Sequence, residues 1–437
     1  MTENIFVLGL DEHNRATLES LPHLSQYRFH GLLTIDELQY GDIDMPALLD
    51  AARRELDAFD GSVDAIIGYW DFPVSTLVPI LCAERGLPAA PLEAVVKCEH
   101  KYWSRLEQSK VIDAVPRFAE IDFDAERPPE DMRYPMWLKP VKSFSSELAF
   151  RVTDDEEFRE ALAEIRDGAG RLGEPFEFVL DRVEVPEEVA RGGASACLAE
   201  EEGTGRQVTV EGYVYRGEPR VYGIVDSECY PDTSSFLRYV YPSSLPERVQ
   251  KRLADLSVKV IRQIGLDSVT FNIEYFWDPA TDEVTLLEVN PRHSQSHAKL
   301  FEYVDGVPNH EPEIRLALGR EPELRSGGGE HAMAAKWFLR RFSDGIVRAA
   351  PDAADVAAME RDVPGTTARP VVAPGDRLSD LPGQDSYSYE LVQVFTGADD
   401  EEDLRRTYEL CLSRLHFEFD DVEDGDGDGD GASDGKE

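Results

Sequence analysis

Positive charge is what this chain most lacks: 45 Lys and Arg stand against 87 Asp and Glu, a formal charge of −42. Such a field repels nucleic acid and anionic membrane surfaces at ordinary salt, which argues against both as partners. The acids are spread along the whole chain rather than gathered in one tract. The surface therefore reads as halophilic, suited to molar salt, where the screening length shrinks to about 3 Å. Cysteine is also sparse. Cys82, Cys98, Cys197, Cys229 and Cys411 are scattered with no CxxC pair, so reduced thiols are expected rather than disulfides or a zinc site. No run approaches the roughly 18 apolar residues of a membrane span. The opening MTENIFVLGLDEHN has no basic region of the secretory kind, and the expected location is the cytoplasm. No GxGxxG follows the first strand-like run, so a dinucleotide fingerprint is missing.

What is present is enough apolar sequence for two or three domains, with 42% hydrophobic residues in 437. Near the N-terminus, NIFVLGL and VDAIIG read as strands alternating with helices over Met45 to Phe59 and Val74 to Arg85. That alternation predicts a parallel α/β domain over residues 1–95. From Trp137 the pattern changes: WLKPV, VTVEGYVYRGEPRVYGIV, SVTFNIEYFW and EVTLLEVN read as antiparallel strands, with helices near Asp155 to Arg166 and Glu247 to Ile264. This predicts an α+β region over 96–320. After a Gly-rich linker, HAMAAKWFL, ELVQVFTG and a helix from Asp400 predict a small α+β lobe over 330–418, and the Asp/Gly tail over 419–437 is expected to be disordered.

The segment FNIEYFWDPATDEVTLLEVNPR, residues 271–292, carries the most chemistry. Residues two apart on a strand share a face, so Glu288 and Asn290 point together, with Leu287 and Val289 on the apolar side. The DPATDE turn folds the preceding strand back and brings Glu274 close to Glu288. Two carboxylates and an amide oxygen are hard ligands suited to Mg²⁺, with nucleotide phosphates completing its shell.

LLEVNPR, preceded by FNIE, resembles the metal-binding signature of the ATP-grasp superfamily. The resemblance implies a two-lobed ATP-grasp fold behind the N-terminal domain. It makes Glu274, Glu288 and Asn290 ligands of Mg²⁺ (or Mn²⁺), and Arg292 the contact to the transferred phosphoryl group. Other stretches are similar in the same order. VKCEHKYWSRLEQSKVIDAVPRF matches a lysine-bearing helix and a following strand, with Lys101 as the first ATP lysine. WLKP matches the strand of the second lysine, Lys139. VKSFSSEL takes the place of the loop over the triphosphate, with Ser145 and Ser146 offering hydroxyls and no glycine present. LAEEEGTGRQ resembles the hinge between lobes, where Glu200 and Glu201 flank the adenine edge and Gln207 meets the ribose.

The activity implied is that of a carboxylate–amine ligase, of the L-amino-acid ligase or biotin carboxylase kind. ATP converts a carboxylate to an acyl-phosphate, and an amine attacks it. Small-molecule carboxylate and amine substrates are expected, and family analogy leaves a homodimer open. Biotin carboxylase-like carboxylation and a non-catalytic ATP-binding sensor are the alternatives. His293 and His297 follow Arg292 closely enough to be candidates for the base that takes the amine proton.

Overall fold

The structure, a computed structural model, describes residues 2–19, 21, 26–39, 42–143, 148–324, 326–381, 384 and 388–420. The chain forms two compact units, residues 1–228 with 239–335, and residues 229–238 with 336–437.

In the first unit, β1 (Glu3–Leu8), β2 (Tyr27–Leu32) and β3 (Ala65–Ile67) form a parallel sheet in the order β2-β1-β3. Both faces of β1 are buried, as expected for a sheet covered on two sides. Phe6 and Leu8 meet Leu49, Leu56 and Leu77 of the helices Met45–Ala58 and Val74–Arg85. Ile5 and Val7 face the other way, against Leu18, Ile314 and Ala317. The last two belong to the helix His310–Ala317, far along the chain. The N-terminal sheet and the following region, expected as separate stretches 1–95 and 96–320, therefore share one core and one compact unit. The helix Gly170–Leu180, which sequence reading did not single out, adds Leu172 and Phe176 to the same core.

Two antiparallel sheets follow. β4 (Phe118–Ile121), β5 (Met136–Pro140), β6 (Phe150–Val152) and β7 (Cys197–Glu201) form one in the order β4-β7-β5-β6, backed by the helix Asp155–Gly168. In the other, β8 (Arg206–Tyr215), β9 (Glu218–Cys229), β11 (Val269–Trp277) and β12 (Val284–Asn290) run in the order β12-β11-β8-β9. The helix Glu247–Ile264 closes its back with Val249, Leu253, Val260 and Ile261. Burying each such side chain contributes about 1.5–3 kcal/mol. The chain crosses between the units at the end of β9, after Glu228, and within β10 (Phe236–Tyr241) and β13 (Met333–Arg341).

The second unit holds β14 (Ile346–Ala349), β15 (Thr366–Pro370), β16 (Tyr389–Ala398) and β17 (Glu418–Asp420). β15 and β16 pair antiparallel, as do β14 and β17. The helix Glu401–Leu412 is capped by Asp400, which accepts from the Asp403 amide at 2.8 Å, and its Tyr408 stacks on Trp337 at 4.2 Å. Phe419 and Asp420, the first residues of the tail expected from 419, belong to β17; the remainder of the stretch lies outside the described residues.

Candidate functional site

The hairpin of β11 and β12 brings Glu274 directly opposite Glu288, and Asn272 opposite Asn290. A register shift makes this possible. Below it, Tyr275 faces Leu286 and Trp277 faces Val284; one extra residue on β12, a β-bulge, then sets Glu288 against Glu274. The bulge also corrects the expected apolar face. Leu286 and Val289 enter the core, while Leu287 sits between them half-buried, its carbonyl accepting from Arg105 at 2.5 Å.

Lys101 does not lie inside one long helix. The chain forms two, Leu92–Glu99 and Lys101–Ser109, broken at His100, whose backbone is extended and whose Nδ1 accepts from the Trp103 amide at 3.2 Å. Lys101 therefore stands on the first turn of the second helix and reaches both Glu288 Oε1 at 2.6 Å and the Ser143 carbonyl at 2.8 Å. Arg105, one turn on, shares its face. It donates to Glu200 Oε1 at 2.5 Å, while Lys139 of β5 holds Glu200 Oε2 at 2.6 Å. A crevice lined by Lys101, Arg105, Lys139, Glu200, Leu287 and Glu288 joins these groups.

Charge in the crevice is unevenly shared. Burial alone raises the Glu288 carboxyl, but Lys101 and Lys139 outweigh it and hold the group at about 2. Burial likewise opposes ionisation of Glu200, and Arg105 and Lys139 bring it down to about 2. Lys101 is pressed down by burial, yet its Glu288 partner lifts it above the usual ammonium range. Lys139 ends lower than usual because burial outweighs Glu200. Glu274 is the exception. Burial and then the Glu288 charge push it up to about 7, despite a hydrogen bond from Gln207 at 2.9 Å. Two facing carboxylates of which one resists ionising are a donor pair short of a cation, and this fits Mg²⁺ or Mn²⁺. Asn290 stands opposite Asn272 and donates to its Oδ1 at 3.0 Å through the amide nitrogen. Among the described residues no three His, Cys, Asp or Glu side chains cluster as a metal site. Two carboxylates and an amide leave coordination positions for phosphate oxygens.

Arg292 is gripped by Asp71, with Nε at 2.8 Å and a terminal nitrogen at 2.7 Å. Asp71 lies just past β3, at the carboxyl end of the parallel sheet, where open α/β sheets place their ligands. Sequence reading missed Asp71, Arg105 and Asn272, and also the buried pair of Lys142 with Glu99. The i+4 spacing of Arg105 from Lys101 was the signal for Arg105; nothing local pointed to Asp71. Among the hinge residues, Glu201 lies 4.0 Å from Arg117, and Glu202 pairs with Arg151 at the surface. Gln207 points at Glu274. Ser145 and Ser146 lie outside the described residues.

Comparison with known proteins identifies the class. Residues 132–298, under half of the chain, match the ATP-grasp domain family. Among solved structures, the L-amino acid ligase from Bacillus licheniformis is similar over 96% of this chain and 99% of its own, with 15% identity and a TM-score of 0.70. An N5-carboxyaminoimidazole synthase from Aspergillus clavatus follows over 94% and 98%, at 15% identity and 0.63. These likenesses establish the fold, a mixed α/β architecture with one parallel sheet and antiparallel sheets. Among curated relatives, the carbamoyl phosphate synthase large chain of Paenarthrobacter aurescens is 44% identical over 55 residues, 13% of this chain and 5% of that one. That of Xylella fastidiosa is 37% identical over 76 residues, 17% and 7%. The chain thus spans under a tenth of the length of these relatives. Among the described residues no helix is long and apolar enough to cross a membrane.

Proposed function

We propose that the chain is an ATP-dependent carboxylate–amine ligase. The facing pair Glu274 and Glu288, with Lys101, Lys139 and the Asp71-held Arg292 around it, is the observation that carries the reading. In the first step a substrate carboxylate oxygen attacks the γ-phosphorus of ATP, the bond to the β-phosphate oxygen breaks, and ADP leaves. In the second an amine nitrogen attacks the carbonyl carbon of the acyl-phosphate, phosphate departs, and the amine loses a proton. Such chemistry rests on position and charge neutralisation. Lys101 and Lys139 offer point charges to the phosphates. Arg292, oriented by Asp71, offers a planar fork to the transferred group and later to the departing phosphate. Mg²⁺ (or Mn²⁺) held by Glu274, Glu288 and Asn290 supplies further neutralisation of phosphate charge. The L-amino acid ligase likeness supports amino acids as the carboxylate class, and the proposed compartment is the cytoplasm.

Phosphate release from ATP and Mg²⁺ in molar KCl, across pools of amino acids and small carboxylates, tests the reading. Release is expected to depend on one pool and to fall at least about a hundredfold in Glu288→Ala. Release driven by bicarbonate alone would move the assignment to the carboxylation seen in the biotin carboxylase class. ATP binding without any pool-dependent release would leave a sensor.

A further inference from the structure

The reaction just proposed leaves one proton to be removed from the attacking amine, and two histidines follow Arg292. Their surroundings differ. His293 is fully buried, with Nδ1 at 3.2 Å from Thr270 Oγ1. Its Nε2 is sealed without a hydrogen-bond partner, in a cluster with the rings of Tyr69 and His310. Burial, and then the neighbouring His310, hold its imidazole well below the usual range. Among the described residues no carboxylate bonds to the ring to steady a positive charge, so it is a poor proton acceptor.

His297 is almost as deeply buried, at 2% exposed, and differs in its partner. Its Nδ1 lies 2.8 Å from Oε1 of Glu211, a fully buried carboxylate on β8. The Ser294 amide donates to the same oxygen at 3.1 Å, and the Tyr222 hydroxyl donates to Oε2 at 3.2 Å, so the carboxylate is fixed on three sides. A carboxylate can only accept, so Nδ1 carries the ring hydrogen and Nε2 carries the lone pair. The ring of Tyr239 meets that of His297 edge-on at 5.1 Å. The titratable groups around the imidazole are thus Glu211 from β8, Tyr222 from β9, Tyr239 from β10 and His293 from its own segment.

Strand register places Glu211 on the sheet face that carries Glu274, Glu288 and Asn290. Glu211 stands opposite Asn272, which stands opposite Asn290. One row along the same face, Thr209, Glu274 and Glu288 form the next line. Rows two residues apart on a strand are separated by about 7 Å, the reach of one small substrate group. Asn272 also binds the Arg292 carbonyl at 2.9 Å, tying the two rows to the guanidinium segment.

We propose that His297 is the general base that takes the proton from the attacking amine, and that Glu211 is its positioning residue. Resting on the ligase reading, this adds a step to it. As the amine nitrogen bonds to the carbonyl carbon, its N–H proton passes to His297 Nε2, and the imidazolium is held by Glu211 until the proton leaves to solvent.

The experiment uses the full chain in molar KCl with ATP, Mg²⁺ and a pool of the protein L-amino acids as carboxylates. Two nucleophiles are compared: hydroxylamine, which is largely unprotonated near neutral pH, and glycinamide, which is not. In His297→Gln the ratio of amide to hydroxamate should fall by about 10²-fold or more. The amide rate should recover toward high pH, where the amine is free of its proton, and imidazole should restore part of it in His297→Ala. Glu211→Gln should lower the same ratio by a smaller factor. An unchanged ratio in His297→Gln, or amide and hydroxamate falling together without imidazole rescue, overturns the base assignment and leaves His297 structural. Absence of hydroxamate from the wild-type protein overturns the acyl-phosphate reading itself, and the base with it.

Discussion

Glu274 is the residue whose chemistry differs most from its sequence-level expectation. A surface glutamate titrates near 4.5, and burial beside Glu288 moves this one to about 7. The folded state therefore binds its proton more tightly than the unfolded chain does. Its contribution to stability is present below about 4.5 and is lost as pH rises toward 7. In metal-free protein, urea unfolding should show Glu274→Gln gaining on wild type by about 2 kcal/mol between pH 5 and pH 8. An offset that stays constant over that window would mean that neither burial nor the Glu288 charge raises this carboxyl. Mg²⁺ with nucleotide should narrow the gap above pH 7, because the cation needs the carboxylate ionised. Arg105 illustrates the other residue-scale effect. Nearly inaccessible itself, it spans Glu200 and the Leu287 carbonyl, so one guanidinium links the lysine helix to both antiparallel sheets of the first unit.

Among elements, the hairpin of β11 and β12 and the start of β8 set the site. Gly205 precedes β8 with φ of +108°, and a Cβ there would sit 2.3 Å from the Trp277 carbonyl oxygen. That oxygen is backbone and cannot swing away. The close approach fixes Arg206 opposite Trp277 and hence Gln207 beside the β11 carboxylate. Gly205→Ala should cost about 2 kcal/mol or more in urea unfolding and weaken Mg²⁺ dependence by disturbing Gln207. A variant with wild-type midpoint would show that β8 tolerates a different entry. The bulge at Leu287 works in the same direction: without it the strict hairpin register would set Leu287, not Glu288, against Glu274.

Over the whole molecule, charge is the governing quantity. A net −42 repels itself, and the repulsion is screened over about 10 Å in 0.1 M salt but about 3 Å at 1 M. We expect the midpoint of thermal unfolding to climb steeply between about 0.1 M and about 2 M KCl, followed by circular dichroism. A midpoint indifferent to KCl would remove the salt-adaptation reading and leave the acidity without that cause. The parallel sheet, the two antiparallel sheets and the carboxyl end of β3 meet in one unit, which gathers Asp71, Lys101, Lys139, Glu274, Glu288 and Arg292.

Sequence alone determined what depends on local pattern. Strand alternation and helix periodicity located β1, β5, β11, β12 and the helices Val74–Arg85 and Glu247–Ile264, because 2-residue and 3.6-residue repeats are written in consecutive side chains. Side-chain spacing likewise put Glu288 and Asn290 on one face, and the order of lysines and acids carried the resemblance, whereas the bulge that sets Glu288 against Glu274 came only with the structure. Tertiary structure decided what depends on residues distant in the chain. The grip of Asp71 on Arg292 spans 221 residues, and the hold of Glu211 on His297 spans 86. The helix His310–Ala317 covers a sheet that begins at Glu3. No periodicity encodes such partners, since they form only when separately folded elements bury their apolar faces against one another and leave these polar groups to pair inside.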